Sequence, residues 1–242
     1  MARKRARDIY GGRDPREIPT YGILEAAQLL KIPAATLRSW IRGRYYETSY
    51  GRQRFEPLIL LPDRDLPLLS FVNLVEAHIL DAIRYKHNVP LNNVKTAISH
   101  LREYSESKHP LADYWFQLKG VDLLVEERGL LVNATRKGQI EMKDIITAYL
   151  KRVEHDPAGA AVRLYPYLKR HPRQVEEPKL VLIDPRISFG KPTLVGVGVP
   201  TSVVADRHGA GETIPELARD YGCEASEIEK AIEYERALSK AA

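Results

Sequence analysis

The chain has 242 residues, 44% of them hydrophobic, which is enough to build one large domain or two to three small ones with real cores. No apolar run approaches the roughly 18 residues of a membrane helix, and the N-terminus lacks the apolar stretch of a signal peptide, which predicts a soluble cytoplasmic protein with no membrane partner. A single cysteine, Cys223, excludes an internal disulfide framework and a Cys-rich zinc site.

The net charge of +5 is concentrated at one end: residues 1–56 carry twelve Lys/Arg against six Asp/Glu, and everything after Glu56 sums to about −1. That placement fits a polyanion partner, because neutralising phosphates releases condensed counterions. A solvated basic tail is the alternative that charge alone leaves open.

Residues 1–19, with Arg3, Lys4, Arg5, Arg7, two glycines and two prolines, have no apolar period and predict a flexible basic arm. From Thr20 onward Ile23, Ala26, Ala27 and Leu30 recur at i, i+3, i+4, i+7, the spacing of a short helix with one apolar side. Lys31-Ile32-Pro33 breaks it. Ala34, Leu37, Trp40 and Ile41 repeat the spacing until Gly43, a C-cap residue. Two short helices around a tight turn are the helix-turn-helix layout. The other side of the second helix carries Ala35, Thr36, Arg38, Ser39 and Arg42, slim, hydroxyl-bearing or basic groups suited to base edges and phosphates of double-stranded operator DNA. A helical hairpin with a solvated face is the bland alternative.

Arg44 to Leu61 alternates and is rich in β-formers around Ser49-Tyr50-Gly51, which predicts a hairpin wing. Arg44, Tyr45, Arg52 and Arg54 on it, and Arg3, Lys4 and Arg5 of the arm, complete the candidate DNA-binding set. Helices are predicted from about Ser70 to Tyr85 and from Leu91 to Tyr104, separated at Val89-Pro90. This order of elements, with Asn88-Val89-Pro90-Leu91-Asn92-Asn93-Val94 opening the last helix, is similar to the DNA-binding domain of MerR-type regulators over about Tyr21 to Leu101. The chain departs from that family afterwards, lacking its long dimerisation helix. Instead Tyr114–Leu118, Leu123–Glu126 and Leu130–Asn133 read as β-like, followed by a helix from about Met142 to Val153 and a strand from Ala161 to Tyr165.

Lys169 to Pro178 reads as a linker, and Lys179 to Ile183 as a strand leading into a turn-rich loop. Thr213/Glu216 and Ser226/Glu229 have capping-box spacing before two helices. Residues Ile183-Asp184-Pro185, Gly190-Lys191-Pro192, Val199-Pro200-Thr201, Glu216-Leu217-Ala218 and Tyr234-Glu235 resemble a bacterial family of unknown function encoded next to PIN-domain toxins. Joined to the N-terminal part, this resembles a VapB-like antitoxin of mycobacterial type. The resemblance implies a dimer that binds its own promoter and restrains a PIN-domain toxin, a ribonuclease. A stand-alone MerR-like regulator responding to a ligand or protein partner is the alternative.

The expected fold is α+β, mainly α: arm 1–19, winged helix-turn-helix 20–107, mixed α/β region and linker 108–178, and a C-terminal three-helix, HTH-like domain 179–242. The C-terminal helical pair is a poor second DNA reader, since residues 199–242 hold five Lys/Arg against nine Asp/Glu. Gly190-Lys191-Pro192 lacks the upstream glycine and the Ser/Thr of a phosphate loop, and the seven histidines show no ligand spacing. Asp113, Asp122, Glu126 and Glu127 do not fall at strand ends of a βαβ series, so neither catalysis, a metal nor a cofactor is expected.

Overall fold

The computed structural model describes residues 9–48, 51–84, 90–105, 107–114, 116–122, 136–168 and 177–239. The fold is α+β and mainly helical, with short two-stranded sheets. Strand β1 (Tyr21–Gly22) leads into α1 (Ile23–Leu30), and α2 (Ala34–Arg42) follows after three residues. Helices of this length do not persist alone in water, where about 12–15 residues are marginal, so packing holds them. They bury Ala26, Ala27, Leu29, Leu30, Leu37, Trp40 and Ile41. Glu25 accepts from the Gly22 N–H at 3.3 Å, and Lys31 ends α1 in the left-handed conformation (φ 58°, ψ 30°).

Gly43 turns the chain out of α2 at φ 71°, ψ −174°, where a Cβ would lie 2.1 Å from the Phe55 carbonyl oxygen. Strands β2 (Arg44–Thr48) and β3 (Gly51–Phe55) pair antiparallel in the register Arg44↔Phe55, Tyr45↔Arg54, Glu47↔Arg52. The returning chain is tied to the second helix by Leu58 and Ile59 N–H groups donating to Trp40 O at 2.8 and 3.1 Å. Strand β4 (Leu68–Leu69) pairs with β1.

Helix α3 (Phe71–Arg84) is the axis of the molecule, with every residue from Phe71 to Ile83 buried. Ser70 and Asn73 cap it reciprocally, each backbone N–H meeting the other side chain at 3.2 and 3.3 Å. Its buried polar groups have partners, as buried polar groups require. His78 lies among the Tyr149 and Tyr167 rings, burial pushes its pKa down to about 3, and the neutral ring donates from Nε2 to Tyr149 O at 3.1 Å. Helices α4 (Leu91–Ser105) and α5 (Arg136–Leu150), then β5 (Val153–His155) paired with β6 (Ala161–Leu164), build the rest of one continuous core running from Tyr21 to Ile183.

The middle region differs from the sequence expectation. Tyr114–Leu118 is no strand: Phe116–Gly120 forms a π-helical turn in which Phe116, Gly120 and Val121 are buried and Gln117 and Lys119 exposed. Gly120 is required there, since a Cβ would meet the Phe116 ring at 2.4 Å. Helix α5 starts six residues earlier than expected and stops at Leu150, because Val153 enters the β5–β6 pair. The strands expected at Leu123–Glu126 and Leu130–Asn133, and most of the linker Lys169–Pro178, lie outside the described residues.

Strand β7 (Val181–Leu182) pairs with β8 (Thr193–Leu194), and α6 (Thr201–Gly209), α7 (Ile214–Tyr221) and α8 (Ala225–Ser239) close over a second core of Leu194, Val204, Leu217, Ile228, Ala231 and Ile232. The Thr213/Glu216 capping box is present. The second box is displaced two residues, with Glu227 accepting from Glu224 N–H at 2.9 Å in place of the Ser226/Glu229 pair. The two parts are joined by Leu164↔Ile183 backbone bonds and by Tyr21, whose hydroxyl donates to Gly190 O at 2.9 Å. Among the described residues no helix is long and apolar enough to cross a membrane, and no group of three His, Cys, Asp or Glu could hold a metal.

Candidate nucleic-acid interface

Helix α2 is two-sided. Leu37, Trp40 and Ile41 face the core, which leaves Ala35, Arg38 and Arg42 exposed and Thr36 and Ser39 half-buried on the opposite side. Ser39 donates its hydroxyl proton to Thr36 O at 2.8 Å, so its oxygen is left as an acceptor toward solvent. The face thus offers two guanidinium forks and two hydroxyl groups over about two turns, the donor and acceptor set that base edges and phosphates take up.

The hairpin continues this surface. Arg44, Tyr45, Arg52 and Arg54 are all exposed. Period-two alternation puts Tyr45, Glu47, Arg52 and Arg54 on one face, and the Arg52 guanidinium stacks 4.3 Å from the Tyr45 ring centroid. Stacking fixes the direction of an otherwise mobile side chain. Arg54 stands 3.7 Å from Glu56, with both side chains half-exposed, a pair worth little in water. Arg3, Lys4 and Arg5 lie outside the described residues. The arm is not loose to residue 19: Pro15–Glu17 forms a 3-10 turn, and Arg16 bridges Asp14 and Asp156 at 2.6 and 3.0 Å.

Sequence reasoning missed Arg84, at the last position of α3. Burial and then repulsion from the nearby Arg44 push its guanidinium below the usual range, with Asp81 working against them. Its basic side chain at the end of an apolar helix was the available signal, but it falls outside the basic stretch 1–56. Arg42 and Arg54 also line an open groove of about 1260 Å³ with Arg64, Lys108 and His109. His109 lies between Glu76 at 3.0 Å and Glu17 at 3.6 Å. Burial alone would lower its pKa, but the two carboxylates outweigh it and push it up to about 10.

The C-terminal helices carry a net negative charge, with five Lys/Arg against nine Asp/Glu in residues 199–242. Two of their cations are taken up internally, Arg207 by Glu212 and Asp220, and Lys230 by Glu233 at 2.6 Å.

Comparison with known proteins finds family matches in two parts of the chain. Residues 19–98 match a family model described as "Putative DNA-binding HTH domain", and residues 181–234 match one described as "Protein of unknown function (DUF433)". Two relatives come from Mycobacterium tuberculosis. "Putative antitoxin VapB45" is 27% identical over 239 residues, covering 90% of this chain and 94% of that protein. "Uncharacterized protein Rv2308" is 30% identical over 227 residues, covering 90% of each. The X-ray crystal structure of Rv2018 from the same organism shares the fold, with a TM-score of 0.61 at 22% identity over 89% of this chain and 98% of that one.

Proposed function

The chain belongs to the protein family that includes Rv2308 of Mycobacterium tuberculosis, and from that premise we propose that it is a DNA-binding antitoxin. As a homodimer it binds the operator of its own promoter and represses it, and its C-terminal part neutralises a PIN-domain ribonuclease. One observation carries the DNA part: a helix that buries Leu37, Trp40 and Ile41 turns Ala35, Thr36, Arg38, Ser39 and Arg42 outward, and the exposed Arg44, Tyr45, Arg52 and Arg54 of the hairpin extend that face. In this reading Arg38 and Arg42 meet bases in the major groove, and the hairpin acts as a MerR-like wing on the backbone. The name of the relative that covers nearly the whole chain supports the antitoxin part.

The test is operator binding by the full chain, followed by anisotropy. Arg38→Ala is expected to cost about 1–3 kcal/mol and to relax sequence preference, whereas Arg52→Ala weakens specific and random duplex alike. Unchanged affinity in both variants overturns the assignment of the reading helix. A second reading, a ligand-responsive regulator, draws support from the groove that shares Arg42 and Arg54 with the DNA face. A small anion that displaces operator DNA would favour it.

A further inference from the structure

The loop between β7 and β8 combines two features that folding alone does not reward. Ser188 and Phe189 both stand in the left-handed region, at φ 48° and 54°, and Gly190 follows at φ 77°. Residues with a Cβ avoid that region. Only the glycine has an evident reason to be there, since its Cβ would meet the Tyr21 hydroxyl at 2.1 Å. The strained turn nevertheless holds Phe189 out into solvent, with 67% of its surface exposed. Strained backbone persists only where its surroundings over-determine it, and such positions cluster at functional sites.

The surroundings here do over-determine it. Tyr21 holds Gly190 O, the Tyr10 hydroxyl donates to Pro185 O at 2.8 Å, and Asp184 accepts from Arg186 N–H at 2.9 Å and from Arg163 Nε at 3.1 Å. Ile187, Gly190 and Lys191 N–H groups close successive turns inside the loop. The ring is therefore presented rigidly. Tyr10 meets it edge-on, with centroids 6.5 Å apart, and the exposed Ile9 adjoins Tyr10 in sequence. Arg186 and Lys191, both exposed, flank it; neither makes a salt bridge to a described residue, although the Arg186 charge is near enough to Asp14 to help hold that carboxyl below its usual range.

We propose that this loop is a protein-docking knob: Phe189 enters an apolar pocket of the partner, and Arg186 and Lys191 pair with carboxylates on its rim. The inference deepens the proposed function by naming a surface that engages the antitoxin's protein partner, and it rests on that reading. An apolar centre with a polar rim is the anatomy of a protein interface, and rigid aromatic and arginine side chains dominate the binding energy of such interfaces. A nucleic acid fits less well, because residues 179–242 hold eight Lys/Arg against ten Asp/Glu.

The experiment measures binding of the full chain to the purified product of the adjacent gene, together with operator binding and thermal melting. Glycine accepts the backbone of residue 189 and the ring packs little, so Phe189→Gly is expected to leave the melting temperature unchanged or raised while weakening partner binding by about tenfold or more. Arg186→Glu combined with Lys191→Glu is expected to weaken partner binding likewise, with a small loss of stability from repulsion between residue 186 and Asp14. Ser188→Gly, which relieves strain without touching the ring, leaves affinity within about twofold. Partner affinity unchanged in Phe189→Gly, a lowered melting temperature in that variant, or a loss confined to operator binding each overturns the knob. If the unmodified chain does not bind the neighbouring product at all, the proposed function fails first and the knob with it.

Discussion

The Lys31 ammonium, in the turn between α1 and α2, lies 4.9 Å from the centroid of the Tyr234 ring in α8, and neither Lys31 Nζ nor the Tyr234 hydroxyl has a hydrogen-bond partner among the described residues. The turn of the helix-turn-helix is thus clamped by the C-terminal helix through a contact with a cost. Burial pushes the Lys31 pKa down to about 8, although Glu235 nearby works against it.

Lys31→Met is therefore expected to stabilise the protein at pH 7. The unfolded chain holds its lysine proton up to about pH 10.5 and the folded one only to about 8, so the penalty is complete below pH 8 and disappears as pH rises through that window. Allowing for partial solvent access and a lost cation–π contact, the gain is about 1 kcal/mol. Denaturant melts of both proteins at pH 7 and pH 10.5 check it: the difference should shrink at the higher pH.

His109 has the opposite sign. Its folded pKa of about 10 exceeds the unfolded value of 6.5, so its contribution is full below pH 6.5 and is lost as pH rises toward 10. His109→Gln leaves the Glu76 carboxylate, 3% exposed, without its cation, at a cost of about 2 kcal/mol near pH 6. Stability measured as variant minus wild type across pH 6 to 10 should converge. A constant difference would point to lost packing instead.

Gly43→Ala is expected to cost about 3 kcal/mol or more, because an alanine there has both a backbone that L residues avoid and a collision with Phe55 O. Relief through partial opening of the hairpin would show as a loss of operator binding larger than the loss of stability explains. Full stability in Gly43→Ala would contradict the geometry at the end of α2.

If the hairpin grips phosphates, the salt dependence of operator binding reports it. Removing Arg52 or Arg54 should each lower the slope of log K against log salt by about 1, and so should Arg84→Met if the like-charged pair with Arg44 faces the DNA backbone. Slopes indistinguishable from wild type would remove these residues from the footprint.

Much of the fold is legible in the sequence because its signals are local. The spacing of Leu37, Trp40 and Ile41, the stop at Gly43, the alternation around Gly51 and the Thr213/Glu216 box each lie within one turn or one hairpin of the element they specify. What was not legible depends on distant partners. The β5–β6 pairing is set against Ile183, and the π-turn at Phe116 follows from a ring that needs Gly120 beneath it. The Tyr21–Gly190 bond joins residues 169 positions apart. Phe189 gives no sign in sequence of its exposure, since periodicity cannot report a residue held out by its backbone.

The continuity of the core from Tyr21 to Ile183 has a consequence for how this architecture can be taken apart. Residues 19–98 match a helix-turn-helix domain, yet cutting there would strip α3 of Tyr149, Tyr167 and Ile146 and leave His78 without the Tyr149 carbonyl. Such a fragment would expose one whole side of its longest buried helix and collapse into a loosely packed or aggregating state. The N-terminal part is thus not a detachable module: recombination that exchanges it between relatives must carry the middle region with it, or redesign α3.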